Sequence, residues 1–200
     1  DQTKEETAFQ IECAKNNHFI KGVVGWIDLL NPSIDKDIET YKEQKIVKGF
    51  RHILQGAEKG FMLQPNFIKG LKQLSKHHYT YDLLIYANQI QEAIVLIKAV
   101  EDLPIVLDHI AKPSIKTKSM QDWDKDIRAL AKYPNLYCKI SGMATEADWT
   151  TWNSEDLKPY LDIVVEAFGV DRLLFGSDWP VCLVASSYER WLHTIKDYFK

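Results

Sequence analysis

The chain has little cysteine and no pattern to what it has. Cys13, Cys138 and Cys182 are odd in number, far apart and in no C-x-x-C spacing, so neither a disulfide framework nor a zinc knuckle is expected. A reducing, cytoplasmic setting is the default for such a chain. Long hydrophobic runs are missing too: stretches such as 103–107 fall far short of the roughly 18 apolar residues that a membrane span needs. An excess of one charge is also lacking, with 25 Lys+Arg against 28 Asp+Glu and a net charge of −3, so no basic footprint for nucleic acid is present. Neither G-x-G-x-x-G nor G-x-x-x-x-G-K-[ST] occurs, and no organic cofactor is expected. No basic-then-apolar leader opens the chain, which starts Asp1-Gln2-Thr3 and stops inside a helical stretch. Both ends are therefore expected to be cut, leaving part of something longer.

What is present is ordinary globular material, 46% hydrophobic and 26% charged over 200 residues, which rules out disorder and low complexity and suffices for one domain over 1–200. Apolar, β-branched runs at 20–29, 46–54, 79–87, 103–110, 136–141 and 172–177 alternate with segments of helical period at 34–44, 65–78, 89–100, 122–133 and 155–168. A further helix is expected in front, at 5–16, and another at 188–200. Strand starts recur about every 30 residues, the length of one βα unit, and such alternation predicts a parallel sheet covered by helices. Two architectures satisfy it. An open doubly wound sheet gathers its site at one switch point, whereas a (β/α)8 barrel draws residues from the C-terminal ends of many strands. Here nearly every run ends in a polar or aromatic group: Trp26 and Asp28, Arg51 and His52, Asn88, Asp108 and His109, Lys139 and Ser141, Asp178. That distribution favours the barrel, with six of its eight strands in hand.

Several of these residues suggest chemistry by type alone. Asp178 closes an apolar run between Ser177 and Trp179-Pro180, so a rigid turn directs its carboxylate, for a site or for a cap. Arg51 and His52 are adjacent and face opposite ways on a regular strand; Arg51 is expected inward, where its guanidinium can grip a carboxylate or a hydroxyl pair, and His52 is open between site and packing. Lys139 lies within a core strand, a costly place unless its charge is paired. Asp108 is expected to face away from His109 and to be structural. Trp26 and Asp28, two apart, share a face as an apolar platform and an acceptor for a sugar ring, or as packing. Lys112, just past a strand, reaches either a substrate or only solvent. His18, His77, His78 and His193 are expected on surfaces. Trp149, Trp152 and Tyr160 form a substrate lid or a surface cluster.

The strings Gly22-Val-Val-Gly-Trp-Ile-Asp28, Lys48-Gly-Phe-Arg-His52, Tyr81-Asp-Leu-Leu84, Leu107-Asp-His-Ile-Ala-Lys-Pro113, Cys138-Lys-Ile-Ser-Gly142 and Phe175-Gly-Ser-Asp-Trp-Pro-Val-Cys182 occur in an order that resembles the amidohydrolase superfamily. The resembled branch is that of metal-dependent-hydrolase-like TIM barrels, which contains sugar lactonases and 2-pyrone-4,6-dicarboxylate lactonase. The resemblance covers essentially the whole chain and implies strands three to eight of that barrel, without the first strand and its His-x-His pair. It implies Asp178 as the base that activates water and His109 as the group that polarises the scissile carbonyl, with both as ligands if a divalent metal such as zinc is bound. It further implies a small lactone or carboxylate as substrate, for which Arg51, Lys139, Trp26, Asp28, His52 and Lys112, singled out above by residue type and position, are the candidate binding residues. A decarboxylase or hydratase of the same superfamily, a catalytically inactive binding protein and a TatD-like nuclease are the alternatives. The absence of a Lys/Arg stripe argues against the nuclease.

Overall fold

The computed structural model describes residues 2–200; Asp1, included in the expected 1–200 domain, lies outside them. Six strands occur among the described residues, β1 (Val23–Gly25), β2 (Val47–Ile53), β3 (Thr80–Leu84), β4 (Ile105–Leu107), β5 (Leu136–Ile140) and β6 (Leu173–Phe175), in the spatial order β1-β2-β3-β4-β5-β6. Each expected apolar run thus contains a strand, and the fold class is the expected α/β one, an incomplete (β/α)8 barrel. The strands are shorter than the runs. Polar turns cut them: beyond β1, Asp28 accepts a hydrogen bond from the Leu30 amide at 2.9 Å and bends the chain.

The chain divides into two compact units, one of residues up to Leu84 with Glu92–Val106, the other of Ile85–Gln91 with Leu107–Lys200. In the first, β1 pairs parallel with β2 and β2 with β3. Helix α3 (Pro65–Lys76) shows why this segment folds as it does. Pro65 takes the first helical position, where its missing N–H costs nothing. Phe67, Gly70, Leu71 and Leu74, spaced three and four apart, form the buried stripe. Gly70 is required there, since a Cβ would meet the Leu29 carbonyl oxygen at 2.3 Å. We expect Gly70→Ala to destabilise the protein by about 1–3 kcal/mol through overpacking against backbone, read as a shift in the urea midpoint; an unchanged midpoint would show that this contact yields freely.

In the second unit β5 pairs parallel with β6, Lys139 opposite Leu174. Helix α5 (Gln121–Leu130) buries Trp123, Ile127 and Leu130. Helix α7 (Ser154–Phe168) begins in a capping box: the Asn153 side chain accepts from the Glu155 amide, and Asp156 reaches back to the Asn153 amide. Its buried face carries Leu157, Tyr160, Leu161, Val164 and Phe168. The aromatic trio expected as lid or surface cluster is neither. Trp152 and Tyr160 are core residues, 3% and 2% exposed, with the Trp152 indole donating to the Ala185 carbonyl at 2.6 Å and the Tyr160 ring against Trp123; only Trp149 is exposed. On and beyond β6, Leu174, Phe175, Trp179, Val181, Leu183 and Val184 are exposed, as fits a barrel short of strands. No helix among the described residues is long and apolar enough to cross a membrane.

Candidate active site

The second unit builds a polar cluster at the ends of its strands, and it does so through backbone that sequence patterning does not foresee. The strand expected over 103–110 ends at Leu107. From His109 through Lys112 four consecutive residues take left-handed conformations, with φ of 54, 48, 59 and 48°. Left-handed backbone costs roughly 1–2 kcal/mol for each residue with a Cβ, and a β-branched Ile110 at positive φ is an outlier. Such a run persists only where its surroundings over-determine it. Here they do: the Lys112 amide donates to the His109 carbonyl at 2.8 Å, and the Trp123 indole N–H donates to the Ile110 carbonyl at 2.9 Å. Lys112, expected to meet substrate or solvent, is ion-paired with Glu146 at 3.0 Å, which fixes the end of the turn.

The turn buries Asp108 completely and His109 almost so. Asp108 meets the Lys139 ammonium at 2.5 Å, so the lysine in the core strand has the partner its position demands. A turn, and not the expected strand alternation, separates the Asp108 side chain from that of His109. The His109 imidazole has Nδ1 2.7 Å from the Ser141 hydroxyl and Nε2 3.5 Å from Asp178 Oδ1. Asp178 follows β6 and has φ 54°; the Cys182 amide donates to its carbonyl at 2.8 Å, so the turn that aims its carboxylate is closed by a hydrogen bond. Two glycines make the room. A Cβ on Gly142, which has φ 63°, would lie 2.9 Å from the His109 ring, and one on Gly176 would lie 2.8 Å from the Ser141 Cβ.

Of the expected site residues, the second unit therefore brings together His109, Asp178 and, through Asp108, Lys139. Ser141 was visible as a polar strand end, two residues from Lys139 and hence on its face; its bond to His109 was not. Glu146, the partner of Lys112, carried no signal, because the short helix α6 (Met143–Glu146) that holds it was not expected.

The first unit holds the rest. The Trp26 amide donates to the buried Thr7 hydroxyl at 2.8 Å, which ties β1 to helix α1 (Lys4–Asn16). Arg51 shares a small recess with Trp26 and with Glu6, Thr7 and Gln10 of that helix. His52 lies in an aromatic cluster, stacked on Phe61 at 5.5 Å and edge-on to Phe67, with Trp26 at 6.5 Å. Burial pushes its pKa down, opposed by the charge of Asp28. The Trp26 Nε1 and His52 Nδ1 atoms are buried without a hydrogen-bond partner among the described residues. His18, His78 and His193 are exposed and His77 is half-buried near Asp35. The cysteines are free, and burial pushes the Cys138 and Cys182 thiols up, away from reactive thiolate.

A zinc ion takes nitrogen and oxygen donors, and a catalytic zinc site usually has three protein ligands. His109 and Asp178 are two such donors side by side, but no group of three His, Cys, Asp or Glu side chains that could hold a metal occurs among the described residues. These residues alone do not make a metal centre.

Comparison with known proteins gives a consistent picture. An L-fucono-1,5-lactonase from Burkholderia multivorans is 36% identical over 206 residues, covering 94% of this chain and 69% of its own length. An L-rhamnono-gamma-lactonase from Scheffersomyces stipitis is 26% identical, covering 78% of this chain and 53% of its own. The crystal structure of an amidohydrolase from Burkholderia multivorans with bound zinc superposes with a TM-score of 0.94 at 34% identity, over 98% of this chain and 72% of that one. A probable 2-pyrone-4,6-dicarboxylic acid hydrolase from Acinetobacter baumannii, 14% identical with a TM-score of 0.78, shares the fold. Residues 2–197 match the amidohydrolase family, and the chain belongs to that family.

Proposed function

We propose that the protein is a hydrolase that opens the lactone of a sugar acid with a water activated by Asp178. The observation that carries this is the pair at the strand ends: a carboxylate and an imidazole, both nearly buried, with Nε2 3.5 Å from Oδ1. Neutral water is a poor nucleophile, so a lactonase needs a base at the attacking oxygen and a donor or cation at the carbonyl oxygen. Asp178 takes a proton from water as the hydroxide bonds to the lactone carbon. His109 donates a hydrogen bond to the carbonyl oxygen while it carries negative charge. The tetrahedral intermediate then expels the ring oxygen, which takes the proton back from Asp178. The product is an open hydroxy acid, which ionises and releases one proton to solution.

The relatives named as L-fucono-1,5-lactonase and L-rhamnono-gamma-lactonase support sugar-acid lactones as the substrate class. In this reading Lys139, partly exposed while paired with Asp108, meets a hydroxyl or the product carboxylate. The test follows proton release with a pH indicator for L-fucono-1,5-lactone, L-rhamnono-gamma-lactone and other aldonolactones against their spontaneous hydrolysis. Turnover of at least one sugar-acid lactone is expected. No release above background from any of them would reject the lactonase reading in favour of decarboxylation or hydration of an unsaturated acid.

A further inference from the structure

We propose that Ser141 is the positioning residue of His109: its hydroxyl gives its proton to Nδ1 and so holds the imidazole in the tautomer protonated at Nε2. The mechanistic use of that tautomer rests on the lactonase reading, in which His109 must offer an N–H to the carbonyl oxygen. The tautomer itself does not.

Three observations point the same way. The first is the accounting of the hydroxyl. Ser141 is fully buried, and among the described residues its side chain has one hydrogen-bond partner, His109 Nδ1 at 2.7 Å. If the hydroxyl donates, its proton is satisfied. If it accepts from an Nδ1–H instead, its own proton is left buried with nothing to receive it, a state that folded proteins avoid because the desolvation of the donor goes uncompensated.

The second is the charge opposite the ring. Nε2 lies 3.5 Å from Asp178 Oδ1. A lone pair on Nε2 would face a carboxylate oxygen and be repelled, whereas an N–H there is attracted. The hydrogen bond at one ring nitrogen decides what the other can do, and a proton donated at Nδ1 makes Nε2 the donor.

The third is the absence of slack. The Gly142 backbone passes so close that a Cβ there would lie 3.0 Å from Nδ1 itself, and a Cβ on Gly176 would lie 3.0 Å from the Ser141 hydroxyl oxygen. One backbone crowds the ring and the other the hydroxyl, so packing limits how far either can move from the bond.

The experiment uses the full protein carrying this chain, labelled with ¹⁵N-histidine and observed at a pH where the imidazole is neutral. The His109 resonances are assigned by their loss in His109→Gln. Wild type is expected to show a protonated, pyrrole-type Nε2 and an unprotonated, pyridine-type Nδ1. Ser141→Ala is expected to give a mixture of tautomers. It should also lower kcat on the lactone by about 10- to 100-fold, the usual cost of losing a group that orients a site histidine, with KM within about twofold because ground-state binding is untouched. A wild-type ring protonated at Nδ1, or a Ser141→Ala spectrum and kcat equal to wild type, overturns the proposal. The expected spectra in a protein that hydrolyses no lactone would leave the Ser141 assignment standing and reject the lactonase reading instead.

Discussion

Asp178→Asn is expected to leave substrate binding close to wild type and to lower kcat by about 10²- to 10⁴-fold, the usual contribution of a general base. The amide has nearly the shape of the carboxylate, so the left-handed turn at 178 should survive; asparagine tolerates that conformation as well as aspartate does. What the amide cannot do is take a proton from water. The KM, or the affinity for an unreactive lactam analogue, should move little while turnover collapses, which is the pattern of an interaction made only in the transition state. Equal kcat in the two proteins would remove Asp178 from the chemistry. A loss of binding that matches the loss of kcat would reassign it to holding the substrate.

The second large effect is expected in stability. Lys139→Met keeps the aliphatic stem but takes the ammonium away from Asp108, whose carboxylate is completely buried. Breaking one side of a buried ion pair typically costs about 3–5 kcal/mol, because the remaining charge stays in a poorly solvating place. The lysine side chain is 23% exposed, so water screens part of the attraction and the lower end of that range is expected. Chemical denaturation of Lys139→Met, Asp108→Asn and the double variant would measure it. The double variant should regain much of what Lys139→Met loses, since it no longer carries the buried carboxylate, and the non-additivity is the coupling between the two groups. Strictly additive losses would show that the pair is a contact without consequence.

These expectations depend on geometry that was only partly legible in the amino-acid order. The strand positions were, because apolar runs bounded by polar residues leave a period-two signature: 46–54 encloses β2 and 136–141 encloses β5 almost residue for residue. Helix α3 falls within the segment of helical period at 65–78. The site was legible as a set of residue types at strand ends, which is why His109, Lys139 and Asp178 could be named together. Its internal bonding was not. Nothing in Asp108-His-Ile-Ala-Lys112 signals left-handed backbone: there is no glycine or asparagine in it, and Ile110 argues for continued strand. The turn is imposed from outside, by Trp123, Lys139 and Glu146, which are remote in sequence. For the same reason Trp152 read as part of a lid or a surface cluster while it is in fact packed beneath Arg190, whose guanidinium lies 3.8 Å over the ring. A run of aromatics after a variable loop looks the same whether it faces outward or inward.

The two glycines beside the histidine mean that the centre is moulded by what is missing. The space that Ser141 and His109 occupy exists because Gly142 and Gly176 have no methyl group to put there. Tolerance to change is then lopsided. The hydroxyl or the imidazole can be trimmed and the backbone stays where it is, so deletions at this centre should yield folded, slow enzymes. Growth at either glycine pushes on the ring or the hydroxyl directly, and no neighbouring side chain can be shortened to absorb it without removing a working group. Gly142 and Gly176 are therefore poor places to begin any redesign and good places to look for loss of function.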